Sequence, residues 1–451
     1  MLSESKAFST QLYQEHLGEA SFLYEQRLTL LEDPTATWLD IEDFEDRFEP
    51  HIDGLVIGED LALEVCKQQA GAGDFGELHA ATRVFCRQNK KNMVSSLIDQ
   101  INPNDEEKLQ AVTDALVDEM PPGWFEDFVN ILNSDNIHWH PFIARMIGFR
   151  RMPYGQKLID FLNRTDERQL GKTIWALGRL REKKAHIPIY NSGLKHTDES
   201  VCAEAALALL RIGDPQTVSH CMNRAASERW PFLALGLGGS PQVLTVLRQL
   251  ATSESAIPNS LLALGLLGDK STIDILLDRL PIDEFAECSA LALYFITGAE
   301  LFEEVFIPEE IDKDELFDDE LEKLEKGESL YPPGEEPGIT INRISQKVED
   351  WQKWWAENSS RFDPKIRYRN GKPYAPDCLL ENLQSEKSPN IMRKLAYEEL
   401  VIRYGIDFPF ETDMQVVQQR QAIARYKEWI DANQNRFKPG KWYFAGQLQT
   451  L

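Results

Sequence analysis

The sequence predicts an all-α fold: an α-solenoid of short helical hairpins, interrupted by one acidic insert and followed by a helical C-terminal region. Three observations carry this. A pattern of small residue, apolar residue and glycine recurs about every 29 residues through the middle of the chain. Stretches between these recurrences place apolar residues at helical spacing. Segments with the alternation of a strand are hard to find, while a 42% hydrophobic content suffices for a sizeable core.

Residues 1–130 read as an N-terminal helical region. Leu12, His16, Ala20, Leu23, Tyr24 and Leu31 fall on roughly one helical stripe, and Asp33-Pro34 ends it. A second helical segment covers Ile41 to Leu55. Residues 131–298 hold the repeats, with equivalent positions at 148, 178, 210, 236, 265 and 294. A step of that length accommodates two helices of roughly 10–12 residues and two turns. In the second helix of one pair, Ile273, Leu276, Leu277 and Leu280 share a face. Gly213-Asp214 and Gly268-Asp269 suit helix ends, the glycine in a left-handed backbone and the aspartate capping the next helix. Small residues in the first helix let a neighbour approach closely. No pair buries its apolar face alone, so the pairs must stack.

This spacing resembles HEAT-like repeats, also found in phycobilisome lyases. The string His16-Leu17-Gly18-Glu19-Ala20-Ser21-Phe22-Leu23-Tyr24-Glu25-Gln26-Arg27, followed by Asp46 to Leu55, is similar to the N-terminus of an uncharacterised proteobacterial HEAT-repeat family. Members are often encoded near type VI secretion components. The resemblance implies a helical solenoid and a protein partner, a component or effector of such a system; it implies no activity.

Residues 299–340 form an acidic insert or linker. Between Glu300 and Glu336 lie 16 Asp and Glu against three Lys, half of the chain's net charge of −26. One reading is a solvated loop with one acidic helix. The other notes Phe302, Phe306 and Phe317 among the acids, an alternation suited to docking on a basic partner surface. Residues 341–451 form a helical region with a duplicated motif. Trp354, Asn358, Arg361, Phe362 and Pro364 recur 75 positions later as Trp429, Asn433, Arg436, Phe437 and Pro439. A Gly-Lys turn follows each copy, at Gly371 and Gly440. The pattern fits either a stacking platform or, more simply, the anchoring of a helix end.

The sequence carries few signatures of catalysis. There is no phosphate-binding loop and no nucleophile elbow. His138 and His140 stand at i, i+2, beside Asp135, which needs an extended segment and further ligands to hold a metal; a helix start before Pro141 explains them equally. Arg47, Glu49, His51 and Asp53 form a polar cluster read as a network locking the N-terminal helices. The six scattered cysteines read as packed thiols in a cytosolic protein. No cofactor or metal is expected.

The acidic balance argues against a nucleic-acid partner, and no apolar run suggests a membrane span. One basic zone stands out, between 145 and 184. It includes Arg145, Arg150, Arg151, Arg164, Arg179 and Arg181, and could meet a macromolecule or receive the acidic insert in cis. The expected function is a cytoplasmic, non-enzymatic protein-binding scaffold or adaptor. A bilin-lyase-like enzyme with a ligand in the groove and a HEAT-like nucleic-acid binder are the alternatives.

Overall fold

The computed structural model describes residues 2–33, 36–133, 137–162, 167–309, 323, 326, 330–331, 337–386, 388 and 390–449. It is mostly helical. The first helices are α1 (Leu2–Glu32), α2 (Trp38–Ile57), α3 (Glu59–Ala72), α4 (Phe75–Arg87), α5 (Lys91–Gln100), α6 (Glu106–Glu119) and α7 (Phe125–Val129). The middle of the chain adds α8 (His140–Phe149), α9 (Gly155–Leu162), α10 (Glu167–Arg179), α11 (His186–Ser192), α12 (Glu199–Ile212), α13 (Gln216–Arg224) and α14 (Pro231–Gly238). Then come α15 (Pro241–Thr252), α16 (Pro258–Leu267), α17 (Ile273–Arg279) and α18 (Asp283–Thr297). The C-terminal region holds α19 (Val348–Asn358), α20 (Pro376–Gln384), α21 (Asn390–Tyr404) and α22 (Val416–Ala432).

Local sequence sets the helix boundaries. Asp74 and Asp105 accept from the backbone N–H groups of Glu77 and Lys108 at 2.7 and 3.0 Å, satisfying donors of a first turn. Asp214 and Asp269 do the same for Gln216 and Ser271, and the glycines before them are left-handed at φ 97° and 73°. Both Gly-Asp pairs therefore end one helix and begin the next, as their sequence predicts.

The even-numbered helices from α4 to α18 form an unbroken series in which each packs against the next. All six recurrent positions of the sequence lie on them. The series runs through residue 130, so α4 and α6 belong to the same packing as the repeats. Close approach explains the glycines. A Cβ on Gly178 would lie 2.7 Å from the Ala208 Cα, and one on Gly265 would lie 2.5 Å from the Ala292 Cα.

The C-terminal region lies along the ends of these helices. The last carbonyls of a helix have no partner within it. Here Arg403 donates to Gly236 and Gly239 O of the α14 end, at 2.7 and 3.2 Å. Arg367 donates to Leu266 and Leu267 O of α16. Two tight hairpins do the same with backbone N–H groups. Hairpin β3–β4 (Tyr368–Arg369, Lys372–Pro373) turns through Asn370-Gly371, which donate to Phe295 and Ile296 O of α18 at 2.8 and 3.0 Å. Hairpin β5–β6 (Tyr443–Phe444, Gln447–Leu448) turns through Ala445-Gly446, which donate to Ile402 and Arg403 O of α21 at 2.7 and 2.9 Å. All four turn residues have positive φ, as two-residue hairpin turns of this kind require.

These hairpins correct the register of the duplication. Asn370-Gly371 corresponds to Ala445-Gly446 at the offset of 75, and Gly440 is not the partner of Gly371. The rest of the motif acts as a helix-end anchor in both copies. Asn358 and Asn433 donate to the Trp354 and Trp429 carbonyls at 2.8 and 2.7 Å, and the Tyr368 and Tyr443 hydroxyls accept from the N–H groups of Asp363 and Lys438.

The reading of the insert as a loop with one acidic helix also needs correction, though the fold is mostly helical. The insert is neither loop nor helix at its ends: Phe302–Pro308 (β1) pairs antiparallel with Gly338–Ile344 (β2). Phe306 faces Thr340 across this ribbon. Phe317 lies outside the described residues.

Gly265→Ala is expected to destabilise the fold by about 1–3 kcal/mol despite alanine's better helix propensity, because the methyl overpacks the α16–α18 contact. Gly171→Ala, on α10 with nothing within 4 Å of the added methyl, should instead stabilise by up to about 1 kcal/mol. Urea unfolding of the two variants checks the pair.

Candidate functional site

The basic zone lies against the protein's own acids. Arg145 pairs with Asp413 at 2.7 Å and lies 3.6 Å from Asp114. Arg151 donates to the Tyr397 hydroxyl at 2.7 Å and lies 3.4 Å from Glu411. Arg179 holds Glu411 at 2.5 Å and Glu398 at 2.8 Å, and Arg211 holds the other Glu398 oxygen at 2.8 Å. Arg150 instead caps α6, donating to Leu116 and Met120 O, and Arg181 donates to Arg211 O at the end of α12. Arg164 lies outside the described residues. Apart from Asp114 on α6, the acids that meet the cluster come from α21 and the segment after it; among the described residues none comes from the acidic insert.

The network is coupled through Glu398. Burial alone would raise its pKa, yet the guanidiniums of Arg179 and Arg211 bring it down to about 2. Sequence reasoning found the arginines but missed Glu398, Asp407, Glu411 and Asp413. The available signal was five acids, Glu399 among them, within sixteen residues of the predicted C-terminal region.

Between α1, α2 and the inner helices from α4 to α12 on one side, and the Asn390–Gln415 stretch on the other, lies a half-open cavity of about 770 Å³. That volume falls in the range of small-molecule sites. Aromatic side chains Tyr24, Phe48, Phe149 and Trp175 supply much of its apolar wall. Six Lys and Arg and nine Asp and Glu complete it. Asp118 on α6 has its carboxyl pushed up to about 6, chiefly by burial, against the pull of Arg83 and Arg27. Burial likewise pushes Glu204 on α12 up to about 7. His79 stacks flat on Tyr24 at 3.7 Å, and burial beside Arg83 and Arg27 holds it well below its usual value, hence neutral.

The second candidate surface is the β1–β2 ribbon. Phe302, Phe306, Ile307 and Ile339 are exposed by 48, 47, 43 and 61%. Among the described residues neither outer edge of the ribbon is paired with another strand. Its root is fixed: Glu303 accepts from the Gln346 N–H at 3.1 Å and pairs with Arg343, and Phe302 meets Tyr294.

The remaining sequence candidates have structural roles. His140 opens α8 with Pro141 in its first turn, is buried, and reaches the Ile131 carbonyl at 3.2 Å. His138 lies in the short helix before it, and Asp135 is outside the described residues. His51 contacts His16 (Nδ1 to Nδ1 3.0 Å), joining α1 to α2. Glu49 and Asp53 bind Arg87, and Glu49 also binds Arg83, so that cluster joins α2 to α4. Burial pushes the Cys66, Cys86 and Cys221 thiols up to about 12, which keeps them protonated at neutral pH. Among the described residues no group of three or more His, Cys, Asp or Glu is arranged to hold a metal, and no helix is long and apolar enough to cross a membrane.

No family model matches the chain, and no curated protein matches it.

Two outcomes follow from the charges. Glu398→Gln should cost about 3–5 kcal/mol at neutral pH, because Arg179 and Arg211 lose a shared counter-charge in the interior. Glu204 behaves oppositely. Its folded pKa lies above the ordinary 4.5, so its contribution is full below about pH 4.5 and is lost as pH rises through about 7. Glu204→Gln should therefore stabilise by about 1–3 kcal/mol at pH 8 and change nothing at pH 4. Denaturant unfolding at the two pH values reads both.

Proposed function

We propose that the protein is a non-enzymatic scaffold or adaptor, an α-solenoid of HEAT-like hairpins that holds a protein partner through the β1–β2 arm. The observation that carries this reading is the exposure of Phe302, Phe306, Ile307 and Ile339 on a ribbon whose edges pair with no further strand among the described residues. A two-stranded ribbon is marginal by itself in water, and large exposed apolar side chains on it favour a binding surface over a packing role. Free strand edges offer main-chain hydrogen bonds to an added strand. The acids Glu304 and Glu309 on and beside the arm, and those of the insert sequence, favour a partner with a basic surface and speed the encounter.

The arginine cluster supports the same choice from the other side. Arg145, Arg151 and Arg179 are engaged by the chain's own carboxylates, so a phosphate backbone would have to displace Glu411 and Asp413. A non-enzymatic reading is also supported by the cavity wall, whose arginines are paired with each other's neighbouring acids. The resemblance to the family encoded near type VI secretion components suggests the class of partner, a component or effector of that machinery.

Quantitative pull-down with purified candidate components tests the proposal. Phe306→Asp combined with Ile339→Asp should reduce capture at least tenfold, with helical content and unfolding midpoint unchanged. Equal capture by the variant would remove the arm from the interface.

A further inference from the structure

The two edges of the β1–β2 ribbon differ in chemistry. Hydrogen-bonded positions alternate along an antiparallel ladder. At the two ends of the ribbon the Ser345 N–H donates to Leu301 O at 2.9 Å and the Glu309 N–H to Pro337 O at 2.8 Å. The odd-numbered residues of β2 therefore bond to β1, and Gly338, Thr340 and Asn342 point their N–H and C=O groups away from it. These three residues are exposed, and no further strand pairs with them among the described residues. On β1 the outward-pointing set is Phe302, Glu304, Phe306 and Pro308. Charges and prolines are how native edges are blocked, and proline offers no N–H. From Gly338 to Asn342 β2 carries neither.

The open edge is complementary to itself. An antiparallel pairing of two β2 strands about Thr340 sets Thr340 against Thr340 of the second copy, and Gly338 against Asn342. The outward N–H and C=O groups of these residues then satisfy one another. The same register sets Ile339 against Ile341 of the second copy. Within one ribbon Ile339 lies opposite Ile307, and Ile341 opposite Val305. Aliphatic side chains would thus run unbroken across four strands on one face. Moving the axis to Ile341 would instead place Ile339 opposite Arg343. Charge agrees with the antiparallel direction. At the root of the ribbon Arg343 and Lys347 share a single carboxylate, Glu303, at 3.1 and 3.5 Å. At its far end stand Glu309 and, in the sequence, the acids that follow it. Antiparallel pairing brings each root beside the acidic end of the other copy. Pairing through β1 would gather Glu303 and Glu304 of both copies.

We propose that two copies of the chain associate about a two-fold axis at Thr340, joining their ribbons edge to edge into one four-stranded sheet. An isologous contact of this kind closes on itself. It leaves Phe302 and Phe306 uncovered on the opposite face, so it goes beyond the scaffold reading and does not compete with a partner held there. A two-stranded ribbon is marginal in water, and added strands with a shared apolar face stabilise it. The paired edge is short against the roughly 1,200–2,000 Å² of a stable complex, so a dissociation constant on the order of micromolar is expected.

Sedimentation velocity of the full chain over about 1–100 µM tests the proposal. A monomer–dimer equilibrium is expected in the native chain. Thr340→Pro removes the donor at the axis without touching a bond to β1, and Thr340→Lys sets like charges against each other there. Each should raise the dissociation constant about tenfold or more at unchanged helical content. On mild oxidation Thr340→Cys should cross-link to its counterpart, because hydrogen-bonded antiparallel pairs lie about 5.5 Å apart at Cα. Glu304→Cys, on the other edge, should not. A single monomeric species throughout, an equilibrium unchanged in both the Pro and Lys variants, or equal cross-linking of Glu304→Cys would overturn the dimer. Phe306 and Ile339 are intact in these variants, so capture of a partner reads the scaffold role separately. A chain that stays monomeric at every concentration yet captures a partner sinks the dimer alone.

Discussion

The inner helices end inside the protein, and each leaves carbonyls there that need a donor. That requirement shapes most of what surrounds them. A buried carbonyl without a partner costs about 1–3 kcal/mol, and a series of helices multiplies the cost. Guanidinium is the side chain that meets two such carbonyls at once, and its charge suits the negative end of a helix dipole. Arg150, Arg181, Arg367 and Arg403 all work in this way, each at the end of a helix other than its own. Where no arginine arrives, a hairpin turn presents two backbone N–H groups. The C-terminal region follows the line of helix ends because its donors are needed along that line.

Arginines brought inside carry charge with them, and the chain answers with carboxylates from one stretch. Glu398, Glu399, Asp407, Glu411 and Asp413 fall within sixteen residues and meet arginines from α8, α10, α12 and β3. Aromatic faces carry the rest: Arg367 lies 3.9 Å from the Tyr374 ring centre and 4.2 Å from that of Trp442. Burial pulls the Arg367 and Arg393 guanidiniums down to about 10 and about 9, still far above neutral pH, so both remain charged. A chain of net charge −26 compensates these cations with acids to spare. Asp118 and Glu204 are part of that surplus: neither has an ion pair among the described residues, and burial raises both carboxyls.

Sequence revealed what depends on local chemistry. The recurrent Gly148, Gly178, Gly236 and Gly265 appeared as a period because each marks a helix crossing where only a small residue fits. Gly-Asp punctuation appeared because a left-handed residue and a capping carboxylate are properties of two adjacent positions. The long-range pairings were hidden. Nothing local distinguishes Arg179, which meets an acid 232 positions away, from an exposed arginine. Hairpin β5–β6 was missed for a different reason: Ala445 adopts φ +47° where a side chain is disfavoured, so no Asn-Gly or Asp-Gly signal was present. The strands of the insert were hidden by charge, since Glu303 and Glu304 interrupt an alternation that Val305 and Ile307 would otherwise display.

The duplication extends further back than its motif, and this bears on the arm. Helices α18 and α21 have the same length, and both their ends are separated by 107 positions, as are the left-handed Gly298 and Gly405 that follow them. The hairpins that plug these helices are 75 positions apart. The first copy therefore carries 32 extra residues between its helix and its hairpin, and those residues include the arm. In the second copy the connection after Gly405 turns inward and delivers Asp407, Glu411 and Asp413 to the arginines. In the first copy the same connection turns outward as a ribbon of exposed phenylalanine and isoleucine. One unit closes without an arm, so the fold of the unit does not require one. Its apolar side chains cost solubility where they stand, and among the described residues no packing need of the unit accounts for their position.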